Sequence, residues 1–259
     1  MSEYDQTFFL SQQCDSLASA RVMLPYVLQL VQPRSVLDVG CGVGTWLRAC
    51  LELGIDDVTG IDGDYVDRSM LHISAERFVP MNLEKPFDLR RRFDLAMSLE
   101  VAEHLPPSSA EGFVKSLVKA APVVLMSAAI PGQGGVSHLN ERWQDYWVNL
   151  FEQHNYQALD TIRSRMWDRE DVQPFYSQNA FLYISRELLE TRPELKELAS
   201  TGTTMPLRVV HPKAYSGLWN WTHTDNISLR AATRQWKHSA KRAVLRRLGR
   251  PIGPTNIAS

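Results

Sequence analysis

An α/β fold built on a doubly wound, mostly parallel sheet is what this sequence predicts, and three observations carry the prediction. Short apolar runs of strand length recur at 35–39, 57–62, 78–83, 93–99 and 122–127. Helix-compatible stretches separate most of them, the alternation that makes a parallel sheet covered on both faces. The first run ends in an acid and breaks into Gly40-Cys41-Gly42-Val43-Gly44, which reads as a strand, a tight loop and a helix start. Polar residues (Asp38, Asp62, Asn82 and Glu100) fall at the strand ends, where sheets of this kind bind their ligands.

At 259 residues the chain has room for one large α/β domain with extensions, or for two small ones. Hydrophobic content of 44% and charged content of 22% are those of a globular protein. The net charge of −1 gives no general attraction for nucleic acid. Cys14, Cys41 and Cys50 are spaced for neither a disulfide framework nor a zinc motif, so a reducing cytoplasm is the expected location. The first ten residues lack the apolar core of a signal peptide, and no apolar run approaches the roughly 20 residues that span a bilayer.

Taken in order, a helix is expected from Asp15 or Ser16 to about residue 31. Its apolar side carries Leu17, Val22, Leu24, Val27, Leu28 and Leu30, and Pro25 should kink or restart it. After the first strand, glycine lets the loop bend through positive φ and bring backbone N–H groups against a ligand. The dinucleotide fingerprint Gly-x-Gly-x-x-Gly fits poorly, because Thr45 stands where its third glycine would follow Gly40 and Gly42. The second strand ends in Asp62, about 20 residues past the glycines, the offset at which a carboxylate meets ribose hydroxyls. A helix N-cap at Asp62 or Asp64 is the competing role.

The third strand with its exit loop occupies 78–83 and the fourth 93–99. A helix over 108–121 leads into the fifth strand. From Ala128 the pattern changes: 130–138 is a glycine-rich loop expected to be mobile around a substrate. Residues 139–151 place aromatic side chains at helical spacing, 157–177 read as a polar lid or loop insert, and 180–184 is the last strand. Residues 186–200 suggest a helix and 207–212 a short extended piece. Between 230 and 250 there are eight Lys/Arg and no acid, interleaved with Trp236, Ala240, Val244 and Leu248. That is a basic amphipathic helix, suited to an anionic membrane or a protein partner, or else a solvated face balanced by an acidic body. The expected division is a helical cap at 1–34, a core at 35–185 containing a substrate loop or lid at 128–177, and a C-terminal extension at 186–259.

Two motifs carry a resemblance. Asp38-x-Gly40-x-Gly42-x-Gly44 is similar to motif I of the class I S-adenosylmethionine-dependent methyltransferases. Asp94-Leu95-x-x-Ser98-x-Glu100-Val101-x-Glu103-His104 resembles the region after the fourth strand in small-molecule and saccharide members of that family. The likeness covers roughly 35–160. It implies a Rossmann-like, seven-stranded sheet with an antiparallel last strand, S-adenosyl-L-methionine as cofactor and S-adenosyl-L-homocysteine as product. By the same resemblance Arg21 partners the methionine carboxylate, Asp62 the ribose, and Asn82 with Leu83 the adenine. Asp38, Gly40, Gly42, Gly44, Trp46, Ser98, Leu99 and Glu100 complete the expected cofactor shell.

Such a donor is already activated, so the protein mainly aligns the reacting atoms, and a hydroxyl acceptor also needs its proton removed. His104 is the candidate base, because an ordinary histidine titrates near working pH; a structural histidine bonding the loop is the competing role. Glu103 could orient it, and His138 is a second imidazole on the glycine loop. The i, i+3, i+4 spacing of Glu100, Glu103 and His104 is also compatible with a divalent cation. Trp143, Tyr146, Trp147 and Tyr176 are candidate acceptor contacts, with core packing as the alternative for Trp143 and Trp147. The leading expectation is O-methylation of a sugar or other small-molecule hydroxyl. The alternatives are N-methylation of a small amine and a nucleic-acid methyltransferase recruited by the basic tail. Against the last stands the lack of an Asn/Asp-Pro-Pro-Tyr-like base-pocket motif.

Overall fold

The computed structural model describes residues 6–200 and 206–216, with backbone alone for 6–14. Its strands are β1 (Ser35–Val39), β2 (Asp57–Asp62), β3 (Phe78–Pro80), β4 (Leu95–Leu99), β5 (Val123–Ser127), β6 (Tyr156–Leu159) and β7 (Phe181–Ser185). Its helices are α1 (Gln6–Val31), α2 (Thr45–Glu52), α3 (Ala110–Ala120), α4 (Gln144–Glu152), α5 (Ile162–Met166), α6 (Pro174–Asn179), α7 (Arg186–Thr191) and α8 (Pro193–Ser200). The strands form one sheet in the order β3-β2-β1-β4-β5-β7-β6. β1 pairs in parallel with β2 and with β4, and β5 extends the parallel run. β7 runs antiparallel to both of its neighbours. This is the Rossmann-like doubly wound sheet with an antiparallel final strand that the sequence predicts.

The central strands are apolar on both faces because both are covered. On one face Val36, Leu95 and Leu125 pack with Met23, Leu24 and Val27 of α1 and Leu47 of α2. On the other, Leu37, Ala96 and Val124 meet Phe113 and Leu117 of α3 and Trp147 and Phe151 of α4. Phe151 stacks on Tyr183 of β7 with ring centroids 3.8 Å apart. The strand order reverses between β1 and β4, which opens a crevice at their carboxyl ends.

Several expectations are corrected here. Pro25 neither kinks α1 into two elements nor restarts it; one helix runs from Gln6 to Val31. The stretch 157–177 is not an irregular loop: it begins in the edge strand β6 and continues through α5 into α6. That strand is four residues long with only its ends buried, too short and too polar to give a period-2 signal. The helix expected at 186–200 is two helices, α7 and α8, meeting at Arg192 and Pro193. The extended piece at 207–212 joins no sheet; its carbonyls at Pro206 and Leu207 accept from Arg163, each at 2.9 Å. The basic stretch 230–250 lies outside the described residues. None of the described helices is long and apolar enough to cross a membrane.

Arg163 is fully buried and forms a bidentate pair with buried Asp160 while lying 4.4 Å over the Phe181 ring. Removing one member of such a pair strands the other charge without water. Arg163→Leu should therefore lower stability by about 3–5 kcal/mol, read as a fall in the urea midpoint. Adding Asp160→Asn should recover part of that loss.

Candidate active site

The glycine loop after β1 is folded back onto the end of β2. The N–H groups of Gly40 and Cys41 both donate to the Ile61 carbonyl, at 2.8 and 3.2 Å. Gly40 has φ +81°, and a Cβ there would meet Val101 at 2.4 Å, so only glycine fits. Gly42, at φ +52°, has open space above it and donates its N–H to Asp62 Oδ2 at 2.7 Å. Asp62 is buried and makes two further contacts through Oδ1, accepting from the Gly63 N–H and the Tyr65 hydroxyl, each at 2.6 Å. Tyr65 is otherwise a surface residue, 85% exposed. Its hydroxyl sits where an incoming hydroxyl would reach the same carboxylate.

Gly40, Asp62, Gly63 and Tyr65 form one wall of a cleft of about 640 Å³ at the switch point of the sheet. Gly40, Asp62, Asn82, Leu83, Glu100 and His104 line it, as expected, together with Tyr65, Met81 and Val101. Asn82 turns the chain after β3 by accepting the Glu84 N–H at 2.9 Å. Asp38 does not reach the cleft wall; it is buried beneath the loop with Oδ2 unpartnered. Ser98, on neighbouring β4, has an equally orphaned hydroxyl, and Leu99 packs in the core. Gly44 caps α2 in a left-handed conformation. Burial, helped by the nearby charge of Asp62, raises the Asp38 carboxyl to about 8, so it is held neutral.

The second wall follows β4. Glu100 has a left-handed backbone (φ +56°), unusual for a non-glycine residue, fixed by its N–H on Ser127 at 3.1 Å. Its carboxyl accepts from Gln133 at 2.7 Å and from Asn179 at 3.3 Å. Asn179 also donates to Gln133 at 2.8 Å, and Gln178 ties both to the His211 N–H. Glu103 follows in a short 3-10 turn and is completely buried, with neither carboxyl oxygen in a hydrogen bond of good geometry. Burial, followed by the charge of Glu100, pushes its pKa well up.

His104 and His138 meet edge to face, ring centroids 4.8 Å apart. The loop that brings them together is pinned rather than loose. The N–H groups of Leu139 and Asn140 both donate to the Glu103 carbonyl, at 2.7 and 3.0 Å. Glu141 is the hub: it accepts from Gly132, from Gly134 and from His138 Nδ1, the last at 2.9 Å. Desolvation, then the facing His138, lowers the pKa of His104, with backbone carbonyls of Ser137 and Val136 acting in the other direction.

The structure does not bring Arg21 to the cleft. Its guanidinium forms a bidentate ion pair with Glu52 at 2.8 and 2.9 Å, half exposed on the outer side of α1 and α2. Trp147 is a core residue, and Tyr176 is buried against Trp46 at 5.1 Å in an edge contact, with its hydroxyl on Ser16. Trp143 and Tyr146 are half-buried under Arg208 and Arg142 respectively, off the cleft wall. Sequence reasoning missed Tyr65, Glu141, Gln133 and Asn179. Gln133 and Glu141 were legible only as loop polar residues, since nothing local announces a carboxylate 33 residues away as a partner.

Because Asp38 is protonated in the folded state and ionised in the unfolded chain above its ordinary value of 3.8, its stabilising contribution is full below that pH. It is lost as pH rises towards about 8. Asp38→Asn should therefore gain stability relative to the parent across that window, seen as diverging urea midpoints. A constant difference would contradict the neutral carboxyl.

The family profile described as a methyltransferase domain matches residues 14–170. Among solved structures, the chain is similar to the sugar N-methyltransferase KedS8 from Streptoalloteichus sp. at 16% identity and TM-score 0.56, covering 72% of this chain and 94% of that one. It is also similar to Streptomyces venezuelae DesVI, at 14% identity and TM-score 0.51, covering 70% and 96%. No curated protein matches it in sequence. At these identities the structural likeness speaks for the fold; the family match, spanning more than half the chain, settles the class. The chain belongs to the methyltransferase-domain family and is an S-adenosylmethionine-dependent methyltransferase.

Proposed function

We propose that the acceptor is a hydroxyl group of a sugar or other small molecule. In this reading Glu103, His104 and His138 lower the cost of removing its proton. The observation that carries it is the cluster of two imidazoles and a buried carboxyl after the end of β4, which reaches the cleft through His104. A small amine sheds its proton in solution and needs no such cluster, whereas a hydroxyl does.

The cleft suits the cofactor in shape and chemistry. Gly42 leaves open space for a close approach, Asp62 offers a buried carboxylate, and Asp38 and Ser98 hold orphaned polar atoms at the same sheet edge. Asp62 would hold the ribose hydroxyls in place of Tyr65, Asn82 and Leu83 would flank the adenine, and Glu100 would stand towards the methionine end. The cofactor, when bound, supplies a methyl group on a sulfonium. The remaining work falls to the chain: alignment of the acceptor by the cleft walls, and acceptance of its proton at the cluster around a neutral His104.

Two outcomes test this. Asp62→Asn should weaken S-adenosylhomocysteine binding about 10- to 100-fold in calorimetry, the loss expected for hydrogen bonds to a charged group. With a panel of neutral sugars and the matching amino sugars, methyl transfer should go to the hydroxyl compounds, and His104→Ala should reduce it about 10²- to 10⁴-fold. The rate should fall only below the ordinary histidine value of about 6.5, because desolvation and His138 keep His104 neutral to lower pH than a free imidazole. Transfer to amino sugars alone, indifferent to His104→Ala, would favour the N-methyltransferase reading.

A further inference from the structure

The geometry points to a divalent-cation site formed by Glu103, His104 and His138, in which the cation presents an acceptor hydroxyl, or two adjacent hydroxyls, to the methyl donor. This rests on the hydroxyl reading above and gives it a chemical form. One potential ligand atom from each of the three residues lies within 4.8 Å of the other two. Bonds of about 2.0–2.2 Å put two ligand atoms at most about 4.4 Å apart, so the cluster needs to contract by only a few tenths of an ångström.

An independent observation is the state of Glu103. A carboxyl that is fully buried with both oxygens unpartnered is costly unless something compensates it. A divalent cation at this point would satisfy the orphaned oxygens.

The surroundings are those of ligating histidines rather than free ones. His138 is held through Nδ1 by Glu141, which leaves Nε2 with its lone pair, the carboxylate–imidazole arrangement that orients a metal ligand. Glu141 is itself fixed by the N–H groups of Gly132 and Gly134. Gly135 lets the ring in: a Cβ there would sit 2.2 Å from Nε2. The Glu103 carbonyl takes the N–H groups of Leu139 and Asn140, so the loop bearing His138 is pinned to the turn bearing the other two ligands. Because the cleft is open at His104, three protein ligands leave positions for water or for acceptor oxygens. One carboxylate with two imidazoles suits Mn²⁺ or a similar first-row ion.

With a cation bound, His104 would serve as ligand in place of the proton-accepting role given above, and a hydroxyl held on the cation would lose its proton to solvent. Its oxygen then forms the bond to the methyl carbon as the carbon–sulfur bond breaks, and that electron pair stays on sulfur. His104 and His138 must be neutral to serve.

The test is Mn²⁺ titrated into the full chain, followed by the electron paramagnetic resonance signal of the free ion, with S-adenosylhomocysteine binding as a check on folding. One Mn²⁺ should be taken up per chain. Glu103→Gln and His138→Ala should each weaken uptake at least tenfold while S-adenosylhomocysteine still binds, and Asp88→Asn on a distant surface should change nothing. Glu141→Gln should weaken uptake less. No uptake by the unaltered protein, or equal uptake by Glu103→Gln and His138→Ala, overturns the site. Hydroxyl methylation that persists in excess EDTA also overturns it while leaving the hydroxyl reading intact. Mn²⁺ uptake with transfer to amines alone would instead overturn the hydroxyl reading and leave the cation site standing.

Discussion

The carboxylate of Asp62 is the constraint on which the site depends. It ends β2, takes the N–H of Gly42 from the loop after β1, and takes the N–H of Gly63 from its own exit turn. With the two amides on Ile61 it closes the glycine loop over the strand end. A carboxylate with good donors on both oxygens tolerates burial that an unpaired one would not. Asp38, buried beneath the same loop with Oδ2 unpartnered, is the contrast: its carboxyl is held neutral. The two acids therefore differ in their partners: Asp62 lines the cleft with donors on both oxygens, and Asp38 lies beneath the loop with Oδ2 unpartnered.

The opposite wall is built by a different logic. Glu100 adopts a strained backbone, and its carboxyl is steadied by amides from the glycine loop and from α6. Gln133, Gln178 and Asn179 form a relay of amide hydrogen bonds that reaches the His211 backbone. The C-terminal segment at 206–211 is fastened to the same region through Arg163. Residues far apart in sequence thus meet behind one carboxyl. A buried polar network fully satisfied in this way rigidifies what it holds.

How much was legible in the sequence follows from which signals are local. The strand runs, the glycine loop and the position of Asp62 are local patterns, and the cleft walls at Gly40, Asp62, Asn82 and Glu100 follow from them. Edge strand β6 was not legible, because four residues with only the end positions buried carry no period. Arg21 could not be placed, since its partner Glu52 lies on a different helix and the ion pair is a tertiary fact. Trp147 and Tyr176 have the chemistry of ligand contacts but lie in the core, and aromatic character alone cannot separate those fates. The meeting of His104 with His138 depends on backbone bonds from Leu139 and Asn140 to the Glu103 carbonyl, which no side-chain pattern reveals.

The account stands or falls on what occupies the Asp62 carboxylate when ligand is present. A crystal structure with S-adenosylhomocysteine decides it directly. The account predicts both ribose hydroxyls within hydrogen-bond distance of Asp62, the Tyr65 hydroxyl displaced, and the sulfur directed towards the end of β4 beside His104. A nucleoside bound elsewhere, with Tyr65 still on Asp62, would contradict it.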